Sequence, residues 1–357
     1  MIATGLVAVL LAPLSAIAGH TPGACQPGQK VAEEGFVAIG GIQQWVVIRG
    51  QDCANPVVLI VHGGPGNPST PFAENLYGAW EKDFTLVEWD QRGAGKTFER
   101  NPGTADGPLT MTVMANDGVD VADYATRHLG KRQVILVGGS WGSALAVNML
   151  KRKPELFAAY EGTSQMVGYR ENQSATYQRI IELTHAAGDK DATAALDALG
   201  PPPWENPRAF GIVRRILRRY EAKTTQPAPD TWWRFPPQYS TAAYKSAYTA
   251  GEDYSYVQLV GMKGDGMLSQ VDLPVLGTTF PMAIFIIQGK EDLLTMPSVT
   301  KSYYDHIKAP TKQYILLDKV GHDPNPLMVD AQFRVLKTHI ASLVHDWSRR
   351  LQRVLPR

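Results

Sequence analysis

The sequence has few cysteines, no excess of one charge, no internal repeat and no low-complexity tract. Its 357 residues include 35 basic and 34 acidic side chains, giving a formal net charge of +1. No overall field would therefore draw the chain to nucleic acid or to an anionic membrane. No His/Cys/Asp cluster has metal-ligand spacing, and no nucleotide-cofactor motif is present. We therefore expect a protein that works without a metal, an organic cofactor or a nucleic-acid partner.

Long apolar runs are also scarce, and the most prominent one lies at the N-terminus. Residues 1–18 are apolar and end in Ala16-Ile17-Ala18, the small-residue pattern of a signal-peptide cleavage site. The run is short and is interrupted by Pro13, which disfavours a membrane-spanning helix. The sequence predicts export to the periplasm or medium, a mature chain starting near Gly19 and no stable membrane insertion. Without a functional signal, the protein would be cytoplasmic.

The only two cysteines, Cys25 and Cys53, both follow the predicted signal peptide. In an oxidising compartment they could pair, which would fasten the mature N-terminus to the end of the second strand. Neither has the histidine context of a catalytic thiol, and they could also remain unpaired.

The most informative stretch is residues 134–146. A buried β-branched and aliphatic strand stops at Gly138-Gly139, Ser140 follows, and a run of small and apolar residues then predicts a helix. This is G-x-S-x-G between strand and helix, where a strained turn lifts a serine hydroxyl above the sheet. A Cβ at Gly138 or Gly142 would clash with the neighbouring strand and helix. We predict that Ser140 is a nucleophile.

Strands and helices alternate along most of the chain, which is typical of a parallel, doubly wound α/β sheet with right-handed crossovers. A hairpin is predicted over residues 34–49, with its turn at Gly40-Gly41. Further buried strands are predicted at residues 56–61, 84–89, 134–139, 156–162, 283–289 and 314–317. Helices are predicted at residues 72–82, 111–129 and 326–351.

The alternation breaks after Thr163. Helical patterns over 175–187, 192–199 and 207–222, proline-rich breaks and frequent aromatics predict an inserted helical cap, residues 163–275. The chain would then consist of a signal peptide (1–18), a core (19–162 and 276–357) and this cap. Four arginines in the third pattern are interpreted as a solvated basic face: Arg214, Arg215, Arg218 and Arg219.

A serine nucleophile needs a base, and the base needs an acid that orients it. In a parallel sheet these groups come from the carboxyl ends of strands. Asp292 and His322 follow the last two strands, in the order Ser, Asp, His. Glu291 is adjacent to Asp292, but Asp292 lies further out in the turn and is preferred. Asp323 is disfavoured because consecutive side chains diverge.

His62-Gly63-Gly64-Pro65-Gly66 follows the strand whose loop should supply one oxyanion donor. Its glycines, Gly63 and Gly64, let backbone N–H groups approach a developing alkoxide, and the Trp141 N–H would be the second donor. The loop is not a phosphate cradle, because no Lys-Ser/Thr pair follows it. It could otherwise be a tight turn with a structural His62.

Three motifs resemble the core signature of proline iminopeptidases in the α/β-hydrolase superfamily: His62–Gly66, Asp90-Gln91-Arg92-Gly93-Ala94-Gly95, and Gly138-Gly139-Ser140-Trp141-Gly142-Ser143. The resemblance covers about residues 35–162 and 280–345. It implies an α/β-hydrolase fold with a Ser140–Asp292–His322 triad and an oxyanion hole from Gly64 and Trp141. Asp90 and Arg92 would be structural supports in a salt-bridged turn beside the site.

The family implies release of an N-terminal residue, ideally proline, which requires an acidic group to hold the free amine. After the 156–162 strand the chain carries Glu161 and lacks the arginine-containing run expected of such enzymes. The sequence does not choose among the conceivable amine partners: Glu161, Glu171, Glu182, Glu205, Glu252 and Asp253.

The sequence therefore predicts a serine hydrolase that acts through an acyl-enzyme on short peptides or small amides. A carboxylesterase using the same triad is the alternative, because the residues do not distinguish amide from ester substrates. A third possibility is a binding module that kept the fold without turnover. Substrate identity and oligomeric state remain open.

Overall fold

The computed structural model describes residues 25–103, 107–204 and 206–341. The predicted signal peptide, Glu205 and the end of the predicted C-terminal helix (342–351) lie outside the described residues. Among the described residues, no helix is both long and apolar enough to cross a membrane.

One eight-stranded sheet forms the centre of the described chain, in the order β1-β2-β4-β3-β5-β6-β7-β8. Its strands are β1 (Val31–Ile39), β2 (Ile42–Gly50), β3 (Val57–Val61), β4 (Thr85–Trp89), β5 (Val134–Gly139), β6 (Phe157–Thr163), β7 (Ala283–Gly289) and β8 (Lys312–Leu317). The β1–β2 hairpin turns at Gly40-Gly41, and β2 pairs antiparallel with β4. The other pairs are parallel, so the prediction of a doubly wound, mostly parallel sheet is confirmed.

The helices of the described chain are α1 (Ala73–Tyr77), α2 (Gly95–Arg100), α3 (Met111–His128), α4 (Trp141–Arg152), α5 (Tyr169–Ala186), α6 (Lys190–Leu199), α7 (Pro207–Glu221), α8 (Ala242–Val260), α9 (Pro297–His306) and α10 (Pro326–Val335). The helix predicted over 72–82 is divided, because a 3₁₀ helix (Gly78–Lys82) follows α1. A π-helical turn, Leu336–Ile340, follows α10.

Apolar cores cover both faces of the sheet. On one face, α3, α4 and α9 pack over strand residues that include Leu59 and Leu136. On the other, α1 and α10 pack over residues that include Ile60 and Val137. Strands that are covered on both faces have continuous apolar sequences, and for this reason the central strands could be predicted from the sequence.

Helices α5 to α8 fall within residues 163–275, the predicted cap, and α5, α6 and α7 share an apolar cluster that includes Ile180, Leu196 and Leu217. Residues from α7 and α8 lie over the carboxyl ends of the strands, across a cavity from Ser140. The division of the chain into core and cap stays a prediction.

Candidate active site

Ser140 occupies the turn between β5 and α4 in a strained conformation, with φ 53° and ψ −123°. Its N–H donates to the carbonyl of Thr163 at 3.0 Å, which ties the turn to β6. A Cβ on Gly142 would overlap the carbonyl oxygens of Val61 and His62, and one on Gly138 would lie 2.6 Å from the Gly142 oxygen. Both positions therefore require glycine, as the sequence predicts.

His322 faces the serine from the loop after β8. Its Nε2 lies 2.8 Å from the Ser140 Oγ, across 182 residues of chain. The hydroxyl of Ser164 donates to the His322 carbonyl at 2.9 Å, which anchors the loop to the end of β6. The imidazole is buried. This is the geometry in which an imidazole can take the proton of a serine hydroxyl.

Asp292 lies behind His322, in the turn after β7. Both of its carboxylate oxygens are 3.2 Å from the His322 Nδ1. The carboxylate is fully buried and accepts hydrogen bonds from the Thr295 N–H at 2.7 Å, the Thr295 hydroxyl at 2.6 Å and the Gln288 amide at 2.9 Å. Asp292, rather than Glu291, is thus the acid that the structure places against the imidazole.

The electrostatics of this pair favour a histidine that can accept a proton. Burial would raise the pKa of Asp292, but the charge and hydrogen bond of His322 and the Thr295 donors outweigh it and lower that pKa. Burial would lower the pKa of His322, but the charge and hydrogen bond of Asp292, together with the charges of Asp323 and Glu221, outweigh it and raise that pKa above 6.5. An imidazolium formed during reaction is therefore stabilised by a carboxylate that stays ionised.

The glycine-rich loop after β3 passes beside Ser140. An ideal Cβ on Gly63 would lie 3.5 Å from the Ser140 Cβ. Gly64 has φ 112° and precedes a cis peptide bond to Pro65. Trp141 is the first residue of α4, so its N–H has no partner inside the helix. The structure thus brings Gly63, Gly64 and Trp141 to the serine, and their role as oxyanion donors stays a prediction.

A polar network that sequence reasoning missed holds this loop. The Gln91 N–H donates to the His62 Nε2 at 3.1 Å, and the Gln91 amide donates to the His62 carbonyl at 2.8 Å. The Trp141 indole N–H donates to the Gln91 Oε1 at 3.1 Å. Burial lowers the pKa of His62 to about 4, so its ring is neutral. His62 therefore has a structural role, and its Nδ1–H donates to the Gly63 carbonyl at 2.7 Å.

The predicted supports, Asp90 and Arg92, follow β4 and are both buried. Asp90 accepts from the Thr70 hydroxyl at 2.5 Å and from the Lys96 N–H at 2.8 Å. Arg92 forms an ion pair with Asp117 of α3, at 2.9 Å, rather than with Asp90. The turn is therefore anchored to its surroundings, and the salt bridge crosses to a helix instead of lying within the turn.

Cys25 and Cys53 form a disulfide. Cys53 precedes β3, at the end of the sheet opposite to Ser140. The bond fastens the first described residue to the amino end of the core.

A cavity of about 870 Å³ opens above Ser140 and His322. Its wall combines the aromatic side chains of Phe72, Trp233 and Tyr248 with the Asp323 carboxylate and with charged groups from the predicted cap. Those charged groups are Arg214, Arg218, Glu221 and Glu252. In the part of the chain that the structure describes, no group of three or more His, Cys, Asp or Glu side chains converges on a metal position.

Of the conceivable amine partners, only Glu252 lines this cavity within the described residues. Glu182 pairs with Arg179 on the surface, Glu161 is buried in β6, and Glu171 lines a separate pocket. Sequence reasoning missed Glu221, which is buried beside the triad and accepts from the Leu293 N–H at 2.7 Å. Burial and the nearby Asp292 charge raise the pKa of Glu221 to about 7.

Comparison with known proteins supports the fold assignment. Residues 56–326 match the family model described as alpha/beta hydrolase fold. The probable aminopeptidase YbaC of Bacillus subtilis (strain 168) is 26% identical over 297 residues, covering 81% of this chain and 90% of that protein. The proline iminopeptidase of Clostridioides difficile (strain 630) is 25% identical over 296 residues, covering 82% and 92%.

Among solved structures, the proline iminopeptidase of Mycobacterium smegmatis superposes with a TM-score of 0.59 at 18% identity, covering 89% of this chain and 98% of that one. VinJ superposes with a TM-score of 0.58 at 17% identity, covering 89% of this chain and 100% of that one. At these identities the superpositions show the fold alone. The family match spans most of the sequence, and its curated relatives carry peptidase names. The chain therefore belongs to the α/β-hydrolase fold family and is a hydrolase that resembles the proline iminopeptidases.

Proposed function

We propose that this hydrolase releases the N-terminal residue from short peptides or amides through an acyl-enzyme on Ser140. The observation that carries the proposal is the continuous hydrogen-bonded line from the Ser140 Oγ to the His322 Nε2 at 2.8 Å, and from the His322 Nδ1 to Asp292 at 3.2 Å. This arrangement supplies a nucleophile, its base and the acid that orients the base.

In the first half of the reaction, His322 takes the Ser140 proton as Oγ attacks the scissile carbonyl carbon. The oxyanion is held by the Trp141 N–H and an N–H of Gly63 or Gly64. The His322 proton then passes to the leaving amine as the C–N bond breaks. In the second half, His322 takes a proton from water, and the hydroxide formed attacks the acyl ester and releases the carboxylic acid. The proton returns to Ser140 Oγ.

Two acidic side chains of the cavity favour a substrate that carries a free amine. Glu221 is buried between α7 and the Asp292 turn, and Glu252 lies at the cavity edge, where it accepts from the Asn67 amide at 2.7 Å. Because the pKa of Glu221 is about 7, its carboxyl group is partly protonated near neutral pH when no substrate is bound. An ammonium group beside it would favour the carboxylate form, so binding of a free N-terminus would be coupled to release of a proton.

The aromatic wall gives the acyl group an apolar surface, which suits a ring such as that of proline. The test compares purified protein on proline p-nitroanilide and on p-nitrophenyl acetate, with Ser140→Ala as the background. We expect turnover of the anilide and a fluorophosphonate adduct on the peptide containing Ser140. An inert anilide with a turned-over ester would overturn the aminopeptidase proposal, and absence of both turnover and labelling would overturn the enzyme mechanism.

We also propose that the protein works in an oxidising compartment outside the cytoplasm. The Cys25–Cys53 disulfide supports this, because such bonds persist mainly in exported proteins. Cell fractionation with a C-terminal tag tests it. A pool found only in the cytoplasm, with both thiols reactive toward an alkylating reagent, would contradict the proposal.

A further inference from the structure

Arg214 is a charged group of the cavity above Ser140 and has no role in the mechanism above. Arg214 lies in the middle of α7, and the sequence interpretation placed it on a solvated basic face. The structure instead places it in the wall of the cavity that Ser140 and His322 also line, and it borders a second, outer pocket together with Arg215. Arg215, the next residue, is exposed on the outside, so the basic face is divided between the solvent and the cavity.

Among the described residues, the Arg214 guanidinium makes no direct ion pair with a carboxylate. Its Nε is buried and lacks a hydrogen-bond partner within the part of the chain that the structure describes. Burial, followed by the charge of Arg218, lowers the pKa of Arg214. Arg214 is half-buried as a residue, and a buried donor atom without a partner is costly to maintain unless a ligand group pairs with it.

The acidic groups that face Arg214 already have partners. Asp323 pairs with Arg218 at 3.2 Å, and Glu252 accepts from Asn67 at 2.7 Å. Both carboxylates, with Tyr256, act on Arg214 only through longer-range electrostatics. The cavity therefore contains a cation that is ready to receive an anion from a ligand.

Arg214 and Glu221 share one helix and lie seven residues apart, about 10 Å along its axis. Both line the cavity, and Glu221, at the end of the helix, contacts the Asp292 turn. An extended dipeptide spans about 7 Å of backbone, and the two side chains and their hydrogen bonds supply the remaining distance. The wall thus presents a cation and an acid at a spacing that suits a molecule with an ammonium at one end and a carboxylate at the other.

We infer that Arg214 binds the free carboxylate of the leaving group, so that the enzyme prefers dipeptide-like zwitterions over longer or C-terminally blocked substrates. This inference rests on the proposed function. A guanidinium can hold a carboxylate by two parallel hydrogen bonds, which fixes both the register and the orientation of the leaving amino acid. That amino acid keeps its carboxylate when the C–N bond breaks and departs with the proton from His322.

The test measures kcat/KM for prolyl-glycine and for prolyl-glycinamide, which differ only in the terminal charge. The acid-to-amide ratio is taken within each enzyme, so a general loss of activity cancels. We expect the unmodified protein to prefer the acid by about tenfold to a hundredfold. Arg214→Met should reduce the ratio to near one. Arg214→Lys keeps the positive charge but cannot form the two parallel hydrogen bonds of a guanidinium, and it should give an intermediate ratio.

Arg215→Met is the matched control, since it removes a neighbouring arginine that points away from the cavity, and it should keep the original ratio. A ratio near one in the unmodified protein, or an unchanged ratio in Arg214→Met, would overturn the inference. If Arg214→Met does not fold, the Arg214→Lys ratio and that of the unmodified protein decide the question. Proline p-nitroanilide separates the two proposals: its turnover without an acid preference rejects only the role of Arg214, whereas no cleavage of any amide rejects the proposed function.

Discussion

Gln91 and His62 are joined by two hydrogen bonds, one from the Gln91 N–H to the imidazole at 3.1 Å and one from the Gln91 amide to the His62 carbonyl at 2.8 Å. The first fixes the ring, and the second fixes the backbone from which the glycine loop starts. Because Gln91 also accepts from the Trp141 indole, it connects the β3 loop with the first residue of α4. The two elements that are expected to provide oxyanion donors are therefore positioned by one side chain.

Replacing Gln91 by Met keeps the approximate volume and removes the side-chain hydrogen bonds. We expect kcat to fall by about tenfold to a hundredfold with little change in KM. The oxyanion forms only in the transition state, so loosening its donors weakens transition-state stabilisation and leaves substrate binding nearly unchanged. Steady-state kinetics on one amide substrate measures this split. Gln133→Met is the control: Gln133 also donates two hydrogen bonds, but at the far end of β5, and kcat should not change. A rise in KM alone would argue against a positioning role for Gln91.

The strained backbone at Ser140 predicts that activity and stability oppose each other there. With φ 53°, a residue bearing a Cβ costs about 1–3 kcal/mol, and glycine does not. Ser140→Gly should abolish turnover, by roughly a factor of 10⁶ in kcat, while raising the free energy of unfolding by about 1 kcal/mol. Ser140→Ala should be as inactive without gaining stability, because it keeps the Cβ. Denaturant unfolding of the three proteins tests this, and equal stabilities of the Gly and Ala variants would exclude strain as the cause.

Much of the sheet could be predicted because central strands covered on both faces are largely apolar runs, two of which, β5 and β7, end at glycine. The turn at Ser140 was predictable for a related reason, since only glycine fits where Gly142 meets the β3 carbonyls. Asp292 could be chosen over Glu291 because the chain has left the strand by that position. These features depend on local chemistry, which the sequence displays directly.

Other features depend on how the cap packs on the core, which periodicity does not encode. Helix α8 was not predicted, because its buried residues do not form one apolar stripe and include Gly251, which packs against the Gly93 carbonyl. Glu221 and Arg214 belong to a helix that was predicted, but nothing in that pattern shows which face covers the cavity. The short helix α2 follows a polar turn and has too few residues for a clear period.

The proximity of Glu221 to the Ser140–His322 pair predicts a shift in the pH profile. The reaction needs neutral His322, whose pKa is raised above 6.5, so kcat/KM should fall as the pH drops through that raised value. Glu221 is one of the negative charges that raise it. Glu221→Gln should therefore lower the pKa of His322 and move the acid limb to lower pH. An ester without an amine is the suitable substrate, because its binding does not depend on Glu221.

Glu291→Gln is the matched control, because it removes a carboxylate from the turn that carries Asp292 without touching His322. It should shift the acid limb less than Glu221→Gln does. A limb that stays in place in Glu221→Gln, or moves to higher pH, would show that the Glu221 charge does not act on the histidine.

The disulfide between Cys25 and Cys53 should contribute to stability without contributing to catalysis. It closes a loop with a sequence separation of 28, for which loss of the cross-link typically costs about 2–4 kcal/mol. The double variant Cys25→Ser/Cys53→Ser should lower the free energy of unfolding by that amount and keep kcat/KM, because the bond lies at the end of the sheet opposite to Ser140. Denaturant unfolding with and without reductant measures the effect. A variant as stable as the oxidised parent would contradict it.

Glu161 predicts an unusual dependence of stability on pH. It is fully buried in β6, neither of its carboxylate oxygens has a hydrogen-bond partner within the described chain, and burial raises its pKa well above 4.5. The folded state thus keeps a proton that the unfolded chain releases above pH 4.5, so this residue makes the protein less stable as pH rises from 4.5 toward the raised pKa.

The amide introduced by Glu161→Gln cannot ionise, so the free energy of unfolding of the variant should not decline in this way as the pH rises. The difference in free energy of unfolding between variant and parent should grow in favour of the variant by up to about 1.4 kcal/mol per pH unit across this window. The cost of burying the amide is the same at every pH. It therefore displaces the plot of unfolding free energy against pH without changing its slope. Glu155→Gln, at an exposed carboxylate paired with Lys153, should keep the parent's pH dependence. Parallel curves for Glu161→Gln and the parent would mean that the Glu161 carboxyl titrates alike in the folded and unfolded chains, which a buried, unpartnered acid does not do.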